Sequence, residues 1–280
     1  MEQKKKKRVL PILMAFIFVV GILLLLYPAI ADFVNYIYAH RAISEYREQV
    51  ETLDEDANAD ILAAAQAYNA RLAASTPYVS ELTDENREIY NSLLNITGSG
   101  IMGYIDIPEI NVFLPIYHGT ENSVLSMGVG HFEGSSLPVG GKSVHTVLTS
   151  HSGLPTARLF TDLEKLKEGD TFSIHVLNET IFYEVDLIEV LKPEELSGLH
   201  IDEGEDYCSL VTCTPYGVNT HRLVVRGRRV EPSKESMLLE TEGTARKNAG
   251  WHAELLYVPI VVIFILLAIL VLRKRRRKRC

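Results

Sequence analysis

The sequence predicts a mainly β fold, preceded by helices and flanked by two apolar segments long enough to cross a membrane. Three observations support this prediction. Residues 101–230 contain short segments rich in Val, Ile, Thr and Tyr, separated by Gly, Pro and Asn turns. Residues 31–100 show helical periodicity. Apolar runs occupy residues 9–30 and 255–272, so we expect a β domain held between two membrane helices.

The first apolar run, residues 9–30, follows five cations at residues 4–8. A helix of this length crosses a hydrocarbon core about 30 Å thick. A cleaved signal peptide also begins with basic residues and has an apolar centre. However, this run is longer than the usual apolar region of such peptides, and Ala29-Ile30-Ala31 is a weak cleavage site. The pattern therefore favours an uncleaved transmembrane signal-anchor.

The second apolar run, residues 255–272, is followed by seven consecutive cations at residues 273–279. A buried core helix is a poor explanation, because these cations have no neighbouring acids to pair with. The positive-inside rule places both basic tails, 1–8 and 273–280, in the cytoplasm. We therefore expect a cell-membrane protein whose central domain is extracellular and whose two transmembrane helices contact the lipid bilayer.

The predicted extracellular part is acidic. Residues 31–252 hold 16 Lys and Arg and 34 Asp and Glu, a balance of 16 − 34 = −18. Such a charge argues against nucleic acid or anionic lipid headgroups as partners of this part. It is compatible with cationic, lysine-bearing partners, and equally with a simple role in solubility.

Two helices are predicted within residues 31–100. Ile61, Leu62, Ala65 and Tyr68 form an apolar stripe at helical spacing, which predicts a helix over residues 42–74. Thr83 is a candidate N-cap for a second helix that ends near residue 94. A polar linker follows at residues 95–100.

The β region contains seven or eight short strands, typical of a barrel or a sandwich. The clearest segments are 102–107, 112–116, 143–150, 171–176, 180–191, 207–213 and 222–230. Short helices are expected between strands at residues 121–127 and 159–166. A linker at 231–254 then leads to the second apolar run.

The common cofactor and zinc motifs are missing from the sequence. It has no phosphate-binding Gly-x4-Gly-Lys loop, no dinucleotide glycine fingerprint, no His-Glu-x2-His helix and no Cys-x2-Cys pair. We therefore expect no metal and no cofactor. The remaining candidates for chemistry are thiols, histidines and arginines.

The cysteines indicate a free thiol outside the cell. Cys208 and Cys213 are five residues apart on one predicted strand, which separates them by about 16 Å. A disulfide spans only about 4.4–6.8 Å between Cα atoms. Unpaired thiols are unusual in an exported domain, so at least one should have a function. Cys280 lies on the predicted cytoplasmic side as an ordinary tail thiol or an acylation site.

Cys213 is the better nucleophile candidate because it ends a strand and opens onto the Pro215–Gly217 loop. Arg222 begins the next strand, where it can support a thiolate and a developing oxyanion, although a surface arginine would fit the spacing equally well.

His151 also lies where a strand meets a loop. The other histidines considered lie in polar or loop contexts typical of solvated side chains: His118, His131, His175, His200, His221 and His252.

These segments resemble the sortases, particularly the pilus-assembling class C branch. SLVTC at 209–213 matches the family's Thr-Leu-x-Thr-Cys strand at three of four specified positions, with Ser209 for the first Thr. The resemblance continues through TPYGVNTHRLVVRGRR at 214–229 and includes SHSGLP at 150–155, reaching LF at 159–160. It covers roughly residues 101–230, and the two-span topology is also typical of class C.

The resemblance implies the fold and the chemistry. It implies an eight-stranded β-barrel with Cys213, His151 and Arg222 as catalytic residues. It implies a Leu-Pro-x-Thr-Gly-like sorting signal, cleaved between Thr and Gly, with transfer of the acyl group to a pilin lysine. Pilin subunits or other surface proteins with such signals are therefore the expected partners.

A lid over the groove is a feature of many class C enzymes and contains Asp-Pro-aromatic. Here residues 75–80 offer Thr76-Pro77-Tyr78, which has the proline and the aromatic ring but lacks the acid. Without a carboxylate, the charge-assisted bond to Arg222 is lost. We therefore expect a loose lid formed by Pro77 and Tyr78, or a helix-breaking turn with a surface tyrosine.

Three alternatives remain open from the sequence. A housekeeping sortase would attach surface proteins to a cell-wall precursor and would differ in its acceptor amine. An L,D-transpeptidase is another cysteine-dependent β fold, but its Ser-x-Gly-Cys type of motif is missing. A non-catalytic membrane-tethered binding module would lack a reactive Cys213.

Overall fold

The computed structural model describes residues 2–75 and 83–232. Three predicted features lie outside these ranges: the lid residues Pro77 and Tyr78, the apolar run 255–272, and the basic tail 273–280. Nearly all of the predicted linker 231–254 also lies outside them.

The first helix, α1 (Glu2–Thr52), is continuous from the N-terminal basic segment to the β domain. In the described part of the chain, its stretch Phe16–Thr52 is the one segment long and apolar enough to cross a membrane. Phe16, Leu24 and Leu25 expose 64%, 70% and 82% of their surface. Exposure of such apolar side chains is favourable in lipid and unfavourable in water.

The predicted helix over residues 42–74 is wrong as a single element. The chain instead forms the end of α1 and a separate helix, α2 (Glu55–Ser75). Asp54 separates them because its carboxylate caps α2, accepting from the Ala57 amide at 2.7 Å. The next helix is α3 (Asp84–Ser92), and its predicted N-cap, Thr83, is confirmed by a 3.4 Å bond from the Asn86 amide.

Eight strands close into a barrel, which confirms the eight-stranded β-barrel that the family resemblance implies. The short helix α4 (Asn122–Leu125) falls within the predicted helix 121–127, whereas residues 159–166 contain only a 3-10 turn at Leu163–Lys165. The strands are β1 (Ile101–Ile107), β2 (Val112–His118), β3 (Val129–His131), β4 (Val144–Thr149), β5 (Thr171–Val176), β6 (Glu179–Leu191), β7 (Asp206–Thr214) and β8 (His221–Val230). Around the barrel the strand order is β1-β2-β3-β4-β7-β8-β6-β5.

Strand alternation gives β4, β7 and β8 two apolar faces. Leu148 and Leu210 point into the main core of the barrel. Val147, Val211 and Val224 point the other way and form a second buried cluster. The partly buried side chains packed against that second cluster include Phe132, Leu191 and Leu199. The outer face of these three strands is therefore apolar and partly covered.

Helix α1 packs against the barrel through its C-terminal part, after the predicted span at residues 9–30. Ile43, Tyr46 and Val50 are buried there. The Tyr46 hydroxyl donates to the Met102 carbonyl at 3.0 Å and accepts from the Leu177 amide at 2.8 Å. Burial raises the pKa of Tyr46 to about 12. These bonds fix the helix to β1 and to the turn after β5.

The prediction that His131 is solvated is wrong, because β3 carries it into the interior with no exposed surface. Its Nε2–H donates to the Ser136 carbonyl at 2.8 Å, and its Nδ1 accepts from the Tyr90 hydroxyl at 2.9 Å. Tyr90 also accepts from the Gly119 amide at 3.1 Å. His118 is likewise held, with Leu93 and Gly100 carbonyls 2.8 and 2.9 Å from its ring nitrogens.

His131 should make the protein sensitive to acid. Burial lowers its pKa from 6.5 to about 4, so the unfolded chain binds a proton there before the folded chain does. The stability that the neutral ring contributes is complete above the unfolded pKa and falls as the pH decreases toward about 4. The free energy of unfolding should drop by up to about 3 kcal/mol across this window.

Urea unfolding of the full chain in mild detergent, at about pH 7 and about pH 5, measures this effect. His131→Gln should reduce the pH dependence of the free energy of unfolding. An unaltered pH dependence in His131→Gln would show that another group titrates.

Candidate active site

Cys213 and Arg222 lie directly opposite each other on neighbouring strands. In the antiparallel pair of β7 and β8, Cys213 is the registered partner of Arg222. Directly opposed residues project to the same face of a sheet, with Cβ atoms about 4.5–5.5 Å apart. The pairing of β7 with β8 through the loop between them therefore brings Arg222 beside Cys213. Both side chains are partly exposed.

Cys208 is separated from this pair. It belongs to the main core, is fully buried, and faces the interior while Cys213 faces outward. Burial raises the pKa of the Cys208 thiol well above its ordinary value. Both cysteines are free thiols, as expected from their spacing. Cys208 therefore lacks the exposure and the deprotonation that a nucleophile requires.

His151 follows β4, which runs parallel to β7. Thr149 is registered with Val211 in this pair, so two further residues along each chain lead to His151 and Cys213. The Thr212 hydroxyl donates to the Ser150 carbonyl at 2.8 Å. The structure thus brings the backbone of His151 alongside that of Cys213.

Two hydroxyl groups that the sequence did not single out hold these backbones together. One is Thr212, which donates to the residue before His151; the other is Ser152, whose hydroxyl donates to the Cys213 carbonyl at 2.6 Å. In the sequence, each of these hydroxyl residues is adjacent to a candidate catalytic residue, and this adjacency is the feature that could have identified them. The spacing alone does not reveal which carbonyl each hydroxyl meets.

The loops after β4 and β7 also touch. Gly153 has a φ of +76°, and a Cβ there would lie 3.1 Å from Cε2 of Tyr216. A side chain at Gly153 would therefore be strained and crowded. This contact brings the loop that follows His151 against the loop that follows Cys213.

Arg222 is held at the mouth of the loop between β7 and β8. Its Nη1 donates to the carbonyls of His221 at 3.0 Å and Asn219 at 3.2 Å. Asn219 itself adopts a left-handed φ of +61°, which favours asparagine over most other residues. These bonds use one of the guanidinium nitrogens and keep the positive charge beside the outer face of β7.

Arg222 also lines an apolar groove of about 250 Å³ on the outer face of the barrel. Val147 and Val211 line it from β4 and β7, and Leu199 lines it from the segment between β6 and β7. Its other lining residues are Thr120, Leu125, Phe132, Thr149 and Pro193. A groove of this composition suits an extended apolar peptide that ends near a charged group.

The segment between β6 and β7 is fastened to the barrel by His145. The Nδ1–H of this buried ring donates to the His200 carbonyl at 2.6 Å. Its Nε2 accepts from the Ser209 hydroxyl at 2.8 Å. Ser209 is the position where the sequence departs from the Thr-Leu-x-Thr-Cys pattern, and the serine retains the hydroxyl that this bond requires.

The arrangement has the components of acyl transfer through a cysteine. The backbones of Cys213, Arg222 and His151 lie close together. In general, a thiol can attack a carbonyl carbon, a guanidinium can stabilise the resulting oxyanion, and an imidazole can move a proton. Among residues 2–75 and 83–232, no group of three or more His, Cys, Asp or Glu side chains is placed to hold a metal ion.

Comparisons with known proteins agree with this geometry. A family model described as the sortase domain matches residues 105–230. Sortase C1 from Streptococcus agalactiae is 51% identical in sequence, and the similarity covers 69% of this chain and 100% of that one, with a TM-score of 0.67.

Two further solved structures are similar. Sortase C of Streptococcus pneumoniae, whose crystal structure bears on catalysis and pilin substrate specificity, is 41% identical over 69% of this chain and 97% of that one, with a TM-score of 0.60. Clostridium perfringens sortase C, determined with the C-terminal cell wall sorting motif, is 41% identical over 69% of this chain and 100% of that one, with a TM-score of 0.59.

Proposed function

Since this chain belongs to the sortase family of cysteine transpeptidases, we propose that it is a membrane-anchored extracellular enzyme that polymerises pilins. It cleaves a Leu-Pro-x-Thr-Gly-like signal between Thr and Gly and joins the new acyl group to a pilin lysine. The observation that carries this proposal is the opposed pair of Cys213 and Arg222, with Arg222 lining an apolar groove.

The first half-reaction forms a thioacyl enzyme. The Cys213 thiolate attacks the Thr carbonyl carbon, and Arg222 stabilises the negative charge that develops on the carbonyl oxygen. Protonated His151 then gives its proton to the Gly nitrogen as the Thr–Gly bond breaks. The Gly-containing fragment leaves as a neutral amine, and the Thr acyl group stays on sulfur.

The second half-reaction transfers the acyl group to an amine. A neutral lysine ε-amine attacks the thioester carbonyl, and neutral His151 accepts the proton that the nitrogen loses. The C–S bond breaks, an amide forms and Cys213 leaves as a thiolate, which restores the starting charges. Water competes with the amine, so the acceptor must occupy the site promptly.

The apolar groove supports a role in recognising the start of the signal. Its valine and leucine side chains suit the Leu and Pro of the signal, which gain free energy on leaving water. The extended backbone can then run toward Cys213 along the outer face of β7. Burial in the groove would provide specificity for the apolar residues of the signal. The ends of the strands would position the scissile bond.

Membrane anchoring would assist transfer by concentrating enzyme and substrate on one surface. Helix α1 supplies one stretch suited to this role. A second span at 255–272 and a lid at Pro77 and Tyr78 belong to the same proposal, and both lie outside the described residues. With both spans in place, the termini would be cytoplasmic and the barrel extracellular.

Removing the charge of Arg222 should slow catalysis strongly. Arg222→Ala should lower kcat by about 10²–10³-fold, the usual effect of losing one oxyanion donor, and Arg222→Lys should restore part of it. Arg228→Ala is the matched control, because it lies on the same strand and face but pairs with Glu205. Equal kinetics in Arg222→Ala and Arg228→Ala would remove Arg222 from the mechanism.

An acceptor-competition assay tests the proposed function. The full chain in mild detergent is given a labelled Leu-Pro-x-Thr-Gly peptide together with a lysine-bearing pilin domain and a cell-wall stem peptide at equal concentration. Mass spectrometry should find the label mainly on the pilin lysine. Transfer mainly to the stem-peptide amine would instead establish a housekeeping sortase, and no cleavage at all would refute both.

A further inference from the structure

Helix α1 makes two hydrogen bonds to the loop that follows His151. The Arg158 amide donates to Oδ1 of Asp32 at 2.9 Å. The Asn35 side-chain amide donates to the Thr156 carbonyl at 2.6 Å. Asp32 and Asn35 are three residues apart, so they occupy one face of the helix. Both bonds reach the loop backbone and therefore constrain its path directly.

The same loop is joined to His151 at its other side. The Phe160 amide donates to the His151 carbonyl at 3.1 Å. Phe160 is completely buried in the main core, and the Gly153 amide donates to the Thr161 hydroxyl at 3.0 Å. The loop is thus a short, internally bonded unit between α1 and His151.

Side chains within the loop add further rigidity. The Arg158 guanidinium contacts the Asp162 carboxylate at 2.6 Å, and Lys165 contacts the other oxygen of that carboxylate at 2.8 Å. Leu159 has a left-handed φ of +44°, a conformation that a non-glycine residue holds only when its surroundings enforce it. A displacement at Thr156 or Arg158 should therefore be transmitted to His151 rather than absorbed by the loop.

We propose that Asp32 and Asn35 are positioning residues for His151, acting through the loop at residues 152–162. This inference rests on the proposed catalytic role of His151. Asp32 follows the last residue of the apolar run, Ile30, by two positions, or about 3 Å along the helix. The helix that would anchor the enzyme thus also forms part of the support of its active site.

The test compares full-length variants in mild detergent with a labelled Leu-Pro-x-Thr-Gly peptide. Replacing both Asp32 and Asn35 by alanine should lower kcat about 10-fold with KM nearly unchanged, because small misplacements of a catalytic group are costly. Asp32→Asn keeps an oxygen acceptor for the Arg158 amide and should retain most of the activity.

The matched control removes an exposed ion pair from the same helix. Arg41 and Glu45 contact each other at 2.8 Å and lie beyond the loop contacts, so replacing both by alanine should leave kcat and KM unchanged. An unchanged kcat in the double alanine variant of Asp32 and Asn35 would overturn the inference, as would a variant that lowers only the melting temperature or raises only KM. Failure of the wild-type chain to cleave, or full activity in His151→Ala, would instead refute the proposed function.

Discussion

Replacing Cys213 by alanine should lower peptide cleavage and transfer by about 10⁴-fold or more, because no other group described at the site can form the acyl-enzyme. Cys213→Ser should be nearly as inactive, since a serine hydroxyl beside Arg222 lacks the acidity of a thiol. The folded state should be unaffected, because Cys213 ends its strand with its side chain partly exposed. Steady-state cleavage of a labelled Leu-Pro-x-Thr-Gly peptide measures the effect.

Cys208→Ala provides the matched control on the same strand. This thiol is buried in the main core, so its loss should reduce thermal stability somewhat while leaving kcat within about twofold of the wild type. A thiol-reactive probe should label Cys213 in the folded chain and spare Cys208. Catalytic collapse in Cys208→Ala, at a temperature where that variant is folded, would mean that the nucleophile has been misassigned.

Replacing His151 by alanine should lower kcat by about 10²–10⁴-fold, the usual contribution of a positioned general acid and base. Thiolate attack needs a proton donor for the departing amine, and the acceptor amine later needs a base. Added imidazole should restore part of the activity by entering the vacated space.

The control for His151 is His175→Gln, because His175 lies on β5 and its ring stacks on Tyr104. This variant should keep the wild-type pH profile. If His151→Ala retained full activity, or if imidazole had no effect on a folded but inactive His151→Ala, another group would have to move the proton.

The sequence predicted the β architecture and indicated Cys213 and Arg222 as candidate residues, because both inferences depend on short-range features. Strand alternation places Cys208 and Cys213 on opposite faces, and the loop that begins at Pro215 returns the chain antiparallel, so Arg222 meets Cys213. Such local rules apply within one hairpin. The pairing of β4 with β7 is long-range, and only the family resemblance selected His151 from the histidines.

Where the sequence failed, tertiary packing decided the outcome. His131 lies in a three-residue strand too short to show alternation, and only its bonds to Tyr90 and Ser136 explain its burial. The prediction of one helix over residues 42–74 did not take into account the carboxylate of Asp54, which caps the start of α2. The contacts of Asp32 and Asn35 join residues more than a hundred positions apart, and no local pattern reports them.

The proposed mechanism requires a thioacyl intermediate on Cys213, and mass spectrometry can detect this intermediate directly. The full chain in detergent is mixed briefly with a Leu-Pro-x-Thr-Gly peptide without an acceptor amine, quenched in acid and digested. The peptide containing Cys213 should gain the mass of the signal up to its Thr, as an adduct that hydroxylamine removes. An unmodified Cys213 during active turnover, or an adduct on Cys208 instead, would contradict the proposed mechanism.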